Sequence, residues 1–402
     1  MTDNFYPEDN DQVFNQPPSP STIVQADMNR GKHFTYLPPR AVKVAVEEYD
    51  DLIDHPTGLT WGVPQIDLRV NPFQRSTFTA LLARPSMGKT YELMRLARHH
   101  REELSRKHTG KGVAPLVVYA TWETSVEEFV AVYGASYTGI SLTDIGRGRA
   151  NKQQLRNGLV SIMKDNFCVF GVSQVDARKQ MKAQIAAGSP ILPQPPTLTD
   201  LYMGVRYLES MGHRVGSLYV DYVQAMPNEK GQLDMTNVTA RVSENIMRTK
   251  ATFCVAQGIP TFVAVQARRE VDDYASIKLP KIIDGQHTSV IEQAFDRVFS
   301  LTMPAKYAAL GKTFPLGDST GVMWDYAVGE ETRVIAMLKQ RYGGATKADV
   351  WVTNFDPVRL TTKLQPTLGE SQTDVRNDLA QGKISYNPPS VDEFESAMYR
   401  PV

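Results

Sequence analysis

Between Thr57 and Asp356, short apolar runs alternate with longer stretches whose apolar residues recur at helical spacing. The runs are Thr77–Leu82, Leu116–Thr121, Val169–Val172, Leu218–Val223, Thr261–Gln266, Val298–Thr302, Val334–Leu338 and Asp349–Asn354. Several are unbroken Val, Leu, Ile and Ala rather than alternations with polar residues, which is how strands buried on both faces read. Helical stretches such as Tyr91–His99 and Val126–Val132 fall between them. Together they predict an α/β fold, a mostly parallel central sheet flanked by helices.

The pattern lapses at both ends and at two places inside. Residues 1–36 hold Asp3, Glu8, Asp9, Asp11 and Asp27 and the run Gln16–Pro20, the composition of a mobile acidic arm. Pro38 and Pro39 introduce Arg40–Ile53, where Val42, Ala45, Val46, Tyr49, Leu52 and Ile53 share a helical face. A linker helix is expected over 37–56, packed on its own domain or on the next subunit of an assembly. Both options stay open. Around 180–198, Pro190, Pro193, Pro195 and Pro196 mark a surface insertion, and Pro304–Glu330 reads as loop. Past Leu360 the chain turns polar, so the core is bounded at 57–360 and 361–402 reads as a mobile tail.

Composition narrows the class. The 402 residues balance 44 Lys and Arg against 44 Asp and Glu, so no global basic field marks a nucleic-acid binder, although a local basic loop can still serve. No run of about 18 apolar residues offers a membrane span. The acidic N-terminus lacks the form of a secretion signal. Cys168 and Cys254 sit in apolar surroundings without metal-ligand spacing, as reduced thiols do. A soluble protein of a cytoplasmic compartment is expected.

The chemistry concentrates where strands end. Ala83, Arg84, Pro85, Ser86, Met87, Gly88, Lys89 and Thr90 form a phosphate-binding loop between a predicted strand and helix. Backbone N–H groups must wrap a polyphosphate closely, which Gly88 permits. Lys89 supplies a point charge to the outer phosphates, and the Thr90 hydroxyl can ligate Mg²⁺. Asp221 ends the run Leu218–Asp221, where it would share the Mg²⁺ site with Thr90, although a strand-end Asp is also a common helix cap. Glu123 follows Leu116–Thr121 and could activate the attacking water; capping the next helix is the alternative. ATP and Mg²⁺ are the expected cofactors.

These residues, with others farther along, resemble the ring ATPase domain of the DnaB-type replicative helicases, a RecA-like P-loop fold. Gly58–Asp67 resembles that family's opening segment. Ala83–Thr90 matches its phosphate loop almost letter for letter, including the Arg-Pro-Ser-Met interior. Trp122–Glu128 and Val220–Gln224 resemble its base-bearing and metal-binding segments. Val242–Glu244, Val265–Gln266, Ile291–Gln293 with Asp296, and Leu338–Gly343 follow in the family's order. The likeness covers about residues 57–356. It implies that Gln266 senses the γ-phosphate. It also implies that Arg341, with Lys339 as companion, reaches into a neighbouring subunit's site as an arginine finger. A hexameric ring moving along single-stranded DNA follows, with primase or other replisome or loader proteins as partners of the tails, and no membrane.

The chain departs from the family in three ways. The loop before Ile291 carries Gln286 and His287 where the family has Arg-Glu, so DNA contact falls to these two and to Arg268 and Arg269, with Lys278 and Lys281 nearby. The interval from Lys89 to Asp221 is long, as the Pro-rich insertion would make it. Fewer than 60 residues precede the core, so the helical collar of the bacterial helicases is not expected, as in a pared-down phage or mobile-element form. The principal reading is a helicase. A RecA-like recombinase or loading ATPase without unwinding activity is the alternative, and a non-catalytic assembly ATPase a third reading.

Overall fold

The computed structural model describes residues 58–365, except 111, 163–165, 187–194, 231–236, 269–278, 286–287, 309, 318–322 and 342–348. Of the expected linker helix it describes only Val42, Lys43 and Val46, which are helical and exposed. The acidic arm and the tail past Gln365 lie outside the described residues, as do Arg269, Gln286 and His287.

All eight expected strands form, together with three others. They are β1 (Phe78–Ala83), β2 (Leu116–Thr121), β3 (Phe167–Phe170), β4 (Val215–Asp221), β5 (Thr261–Gln266), β6 (Arg297–Thr302), β7 (Thr313–Gly317), β8 (Met323–Ala327), β9 (Thr332–Gln340), β10 (Asp349–Asp356) and β11 (Thr361–Leu364). Nine of them make one sheet in the order β11-β10-β9-β6-β1-β5-β4-β2-β3. From β3 to β6 every pairing is parallel. At β9 the direction reverses, and β9, β10 and β11 add an antiparallel meander. β1, β2 and β6 are buried at every position, as unbroken apolar runs require.

The helices are α1 (Pro64–Asp67), α2 (Lys89–Lys107), α3 (Val126–Thr138), α4 (Leu142–Gly146), α5 (Lys152–Ile162), α6 (Gln174–Ala186), α7 (Leu198–Ser210), α8 (Val238–Thr249) and α9 (Thr288–Ala294). They cover both faces of the sheet. On one, Leu93, Met94, Leu96 and Ala97 of α2 and Phe129 and Val132 of α3 pack against Leu81, Val117, Tyr219 and Phe262. On the other, Leu201 and Val205 of α7 and Val242 and Ile246 of α8 pack against Ala80, Val118, Val220 and Val263. Each large apolar side chain so buried contributes roughly 1.5–3 kcal/mol before ordering entropy is counted.

Polar contacts fix the approach to β1. Thr60 donates from its N–H and hydroxyl to Glu103 of α2 at 3.0 and 3.3 Å. Nε2 of the buried His100 donates to the Thr60 carbonyl at 2.7 Å, which leaves Nδ1 to accept from the Tyr219 hydroxyl. Burial holds the His100 pKa well below the ordinary imidazole value, so this ring stays neutral.

Three sequence expectations need correction. The stretch Pro304–Glu330 contains the β7–β8 hairpin, a separate two-stranded sheet, rather than loop alone. The core runs past Leu360 through β11, an edge strand whose alternating exposure hides it in a polar sequence. Residues 180–186 continue α6 rather than opening the expected insertion, most of whose remainder lies outside the described residues. Thr197, through its capping box with Asp200, starts α7. Among the described residues no helix is long and apolar enough to cross a membrane, and no group of three or more His, Cys, Asp or Glu could hold a metal.

Candidate functional site

The parallel strands bring their C-terminal ends to one edge of the sheet. Ala83 of β1 lies opposite Gln266 of β5, and Thr121 of β2 lies opposite Asp221 of β4. A cleft of about 750 Å³ opens there, lined among others by Ser86, Lys89, Thr90, Glu123, Gln266 and Arg333. Ser86, Glu123 and Gln266, far apart in the sequence, thus meet because crossover connections return each parallel strand in the same direction, and Arg333 joins them from the start of the antiparallel β9.

The phosphate loop turns into α2 at Gly88, which has φ +81°. A Cβ there would stand 2.9 Å from Nη2 of Arg333, so only glycine fits both the backbone and the space. The Lys89 ammonium curls back onto the Ala83 and Arg84 carbonyls at 3.3 and 3.2 Å. Burial lowers its pKa, and the charges of Asp221 and Glu123 partly restore it. Not every residue of the loop faces the cleft. Ala83 and Met87 pack into the core, and buried Arg84 donates to the Tyr307 hydroxyl at 2.6 Å. What Ala83, Arg84 and Met87 can offer a phosphate is backbone.

Asp221 is 1% exposed. Tyr119 donates to its Oδ2 at 2.9 Å, while Oδ1 has no hydrogen-bond partner among the described residues. Burial raises its pKa to about 6, against the lowering effect of the Thr90 and Tyr119 hydroxyls; Glu123 adds to the rise and Lys89 opposes it. A buried carboxylate with one oxygen unmet, beside a hydroxyl at the head of a helix, fits a hydrated divalent cation. Thr90 and Asp221 are the residues that would hold it.

Glu123 stands free of the capping role that was its alternative. Ser125 caps α3 by accepting the Glu128 N–H at 3.2 Å, and Thr121 fixes the turn through Thr124. Glu127 holds the start of α6, accepting from the Ser173 hydroxyl and the N–H groups of Gln174 and Val175, contacts that keep its pKa at about 2. Glu123 is left lining the cleft with no hydrogen bond among the described residues.

Beyond Gln266 the chain leads directly toward the expected DNA loops. Ala267 donates to Ala83, and Arg268 N–H donates to Asp284 at 2.8 Å. Arg268 is exposed. The segment ahead of residue 286 is therefore tied to the strand that carries Gln266.

Lys339 and Arg341 lie elsewhere. Because β9 runs antiparallel to β6, its end falls at the opposite edge, where Arg297 pairs with Gln340 and Arg341 N–H donates to Asp296. The length of β1 separates the two edges, about 20 Å for six residues. The chain's own cleft does not contain this pair.

Two features escaped the sequence reading. Tyr119, inside an apolar run, reads as core yet its hydroxyl reaches Asp221. Arg333, 3% exposed, lies 3.4 Å from the centroid of the Phe355 ring and 3.5 Å from Glu92, which Arg95 also engages at 2.7 Å. Burial lowers the Arg333 pKa to about 10, with Glu92 opposing. Arg333 directly precedes the apolar run Val334–Leu338, a spacing that does not mark it as a residue of the cleft.

The model of the DnaB-like helicase C-terminal domain family matches residues 58–355. The replicative DNA helicase DnaB of Helicobacter pylori (strain ATCC 700392 / 26695) is 25% identical over 270 residues, 65% of this chain and 49% of that protein. The DnaB of Rickettsia bellii (strain RML369-C) is 25% identical over 250 residues, 61% and 45% of the two chains. The chain thus spans about half the length of these relatives. Among solved structures, an isolated ATPase domain superposes with a TM-score of 0.57 at 16% identity, covering 81% of this chain and 98% of that one. A DnaB-like replicative helicase, solved for its interactions with primase, gives the same score and identity over 80% and 66%. These likenesses establish a RecA-like fold.

Proposed function

The chain belongs to the DnaB-like helicase C-terminal domain family, and from that premise we propose that it is an ATP-driven DNA helicase working as a ring of subunits. One observation carries the proposal. Lys89, Thr90, Glu123 and Gln266 line one cleft with the buried Asp221 beside Thr90, while the cations Lys339 and Arg341 stand a strand's length away at the far edge. A site so divided is completed by a neighbouring subunit, which makes hydrolysis depend on assembly.

In this reading the loop's N–H groups and Lys89 bind the triphosphate. Glu123 orients and deprotonates the attacking water, and Gln266 contacts the γ-phosphate. The neighbour's Arg341 and Lys339 meet the charge that develops on the transferring group. Mg²⁺, held by Thr90 and Asp221, would neutralise phosphate charge when bound. Loss of the γ-phosphate moves Gln266, and through Arg268 and Asp284 that movement reaches residues 268–269 and 286–287, which contact single-stranded DNA in this reading. Six subunits and a primase or loader as partner of the tails belong to the same proposal.

The test is ATP hydrolysis and strand displacement on a forked duplex, with native mass measured on the same sample. Hydrolysis stimulated by single strands, displacement, and a closed six-subunit mass are expected. Stimulated hydrolysis without displacement would reject unwinding and favour the recombinase or loader reading.

A further inference from the structure

We propose that Asp296, with the C-terminal carbonyls of α9, forms a cradle that positions Lys339 and Arg341 for the neighbouring subunit's nucleotide. The inference deepens the proposed function and rests on its assignment of these two cations to the site across the interface.

The cradle is built from three elements. Asp296 sits between α9 and β6 and is tied to the start of β1 from both sides: its N–H donates to the Phe78 carbonyl at 2.8 Å, and its Oδ2 accepts the Phe78 N–H at 2.9 Å. Its carbonyl takes the Arg341 N–H at 2.8 Å, which fixes where that residue leaves β9. Its Oδ1 takes Nη1 of Arg341 and the Lys250 ammonium, each at 3.2 Å. The end of α9 supplies the rest. Arg341 Nη2 donates to the Gln293 carbonyl at 3.0 Å, and the Lys339 ammonium donates to the carbonyls of Phe295, at 2.9 Å, and Glu292. Glu292 and Gln293 offer carbonyls that a helix leaves unpaired at its C-terminus, where its dipole favours positive charge, and Phe295 follows directly after the helix.

The geometry suits presentation. A guanidinium has five N–H donors, and these contacts engage one on each terminal nitrogen. Nε–H and the second hydrogens of Nη1 and Nη2 remain for an incoming phosphate, and the Arg341 side chain keeps 42% of its surface exposed. Held from behind, the group keeps its direction, so less rotamer freedom is lost on meeting the transition state. Between Val298 and Phe299 the β6–β9 register shifts, so Leu338 has no partner across the ladder and the strand is re-aimed just before Lys339. Asp296 is thus a positioning residue that acts through Arg341 and touches no nucleotide itself.

The test uses full-length chains. Asp296→Asn keeps an oxygen for the Phe78 N–H and removes the charge facing Arg341. It should lower kcat for ATP about tenfold and leave KM unchanged, and unfolding measured on the same sample separates this from the stability lost by leaving Lys250 without its charged partner. The deciding arm co-expresses it with Lys89→Ala, each on its own tag, and isolates mixed assemblies on both tags. Lys89→Ala has a disabled site but intact Lys339 and Arg341, so mixed assemblies should hydrolyse ATP faster than either parent. A defect confined to folding or to the variant's own cleft gives no such restoration, and that result overturns the inference. So does a faster basal rate in Asp296→Asn, which would mean the carboxylate restrains Arg341. Arg341→Ala paired with Lys89→Ala tests the underlying assignment separately. If that pair fails to restore activity, the division of the site between subunits falls and the cradle with it; if it succeeds where Asp296→Asn fails, only the cradle falls.

Discussion

Replacing Asp221 with asparagine should make the nucleotide-free protein more stable while abolishing its metal-dependent hydrolysis. The carboxyl is raised from 3.8 to about 6, chiefly by burial. At about 1.36 kcal/mol per pKa unit, keeping it ionised well above pH 6 costs about 3 kcal/mol of folding free energy. The sign follows from the direction of the shift. The folded chain binds this proton more tightly than the unfolded one, so the penalty is complete above pH 6, shrinks as pH falls through 6, and is gone below 3.8. Asparagine keeps an oxygen for Tyr119 and carries no charge, which removes the penalty. Urea or thermal unfolding at pH 8, in chelator and at matched concentration, should show the variant ahead by up to about 3 kcal/mol, or a few degrees. At pH 4.5 most of the gain should vanish. A variant no more stable than the parent at pH 8, or one whose advantage ignores pH, would refute the reasoning that Asp221 is a strained carboxylate waiting for a cation.

Other perturbations probe neighbouring parts of the cleft. Glu123→Gln should leave binding of a non-hydrolysable ATP analogue within a few-fold and reduce turnover by about 10²–10⁴, measured by phosphate release; a small loss would remove Glu123 from the water. Gly88→Ala places a Cβ against Arg333 in a left-handed backbone, which costs at least about 1 kcal/mol and weakens nucleotide binding, read by analogue titration against unfolding. Glu92→Leu strands Arg95 and Arg333 without their shared carboxylate and should destabilise by about 3–5 kcal/mol, whereas replacing all three with leucine should cost less. Glu127→Ala frees the turn at Ser173–Val175, so amide exchange there should rise at neutral pH. In the parent the same loosening appears only as pH falls toward 2, where Glu127 protonates.

The sheet was legible because its central strands are buried on both faces, so Val117–Ala120 or Val263–Val265 needs no alternation to be recognised. The β7–β8 hairpin was not, since Pro315 and Gly317 lie within it and its small core cluster supplies no long apolar run. Strand β11 at the sheet edge escaped for the opposite reason, as a half-exposed strand of Thr and Lys resembles a tail. At the site, strand-end positions anticipated that Asp221, Glu123 and Gln266 come to one edge, where a parallel sheet collects its strand ends. Sequence spacing gave no hint of the Tyr119 hydroxyl on Asp221, of Arg84 turned toward Tyr307, or of Arg333 under Gly88. Each depends on which face of a strand or loop a side chain leaves from, and period alone does not settle that inside a continuous apolar run.

The reversal at β9 sets a limit on how this chain can change. Arg333, at its start, lies in the chain's own cleft, and Arg341, just past its end, stands at the opposite edge of the sheet, about 27 Å away along the strand at 3.4 Å per residue. Gain or loss of one residue between them would exchange the two faces of β9, taking Ile335 and Met337 out of the core cluster in which they pack. A change of two would keep the faces and shift the reach by about 7 Å, more than a hydrogen bond can absorb. Surface loops elsewhere are under no such constraint. This one strand behaves as a gauge whose length sets the distance between the two edges of the sheet.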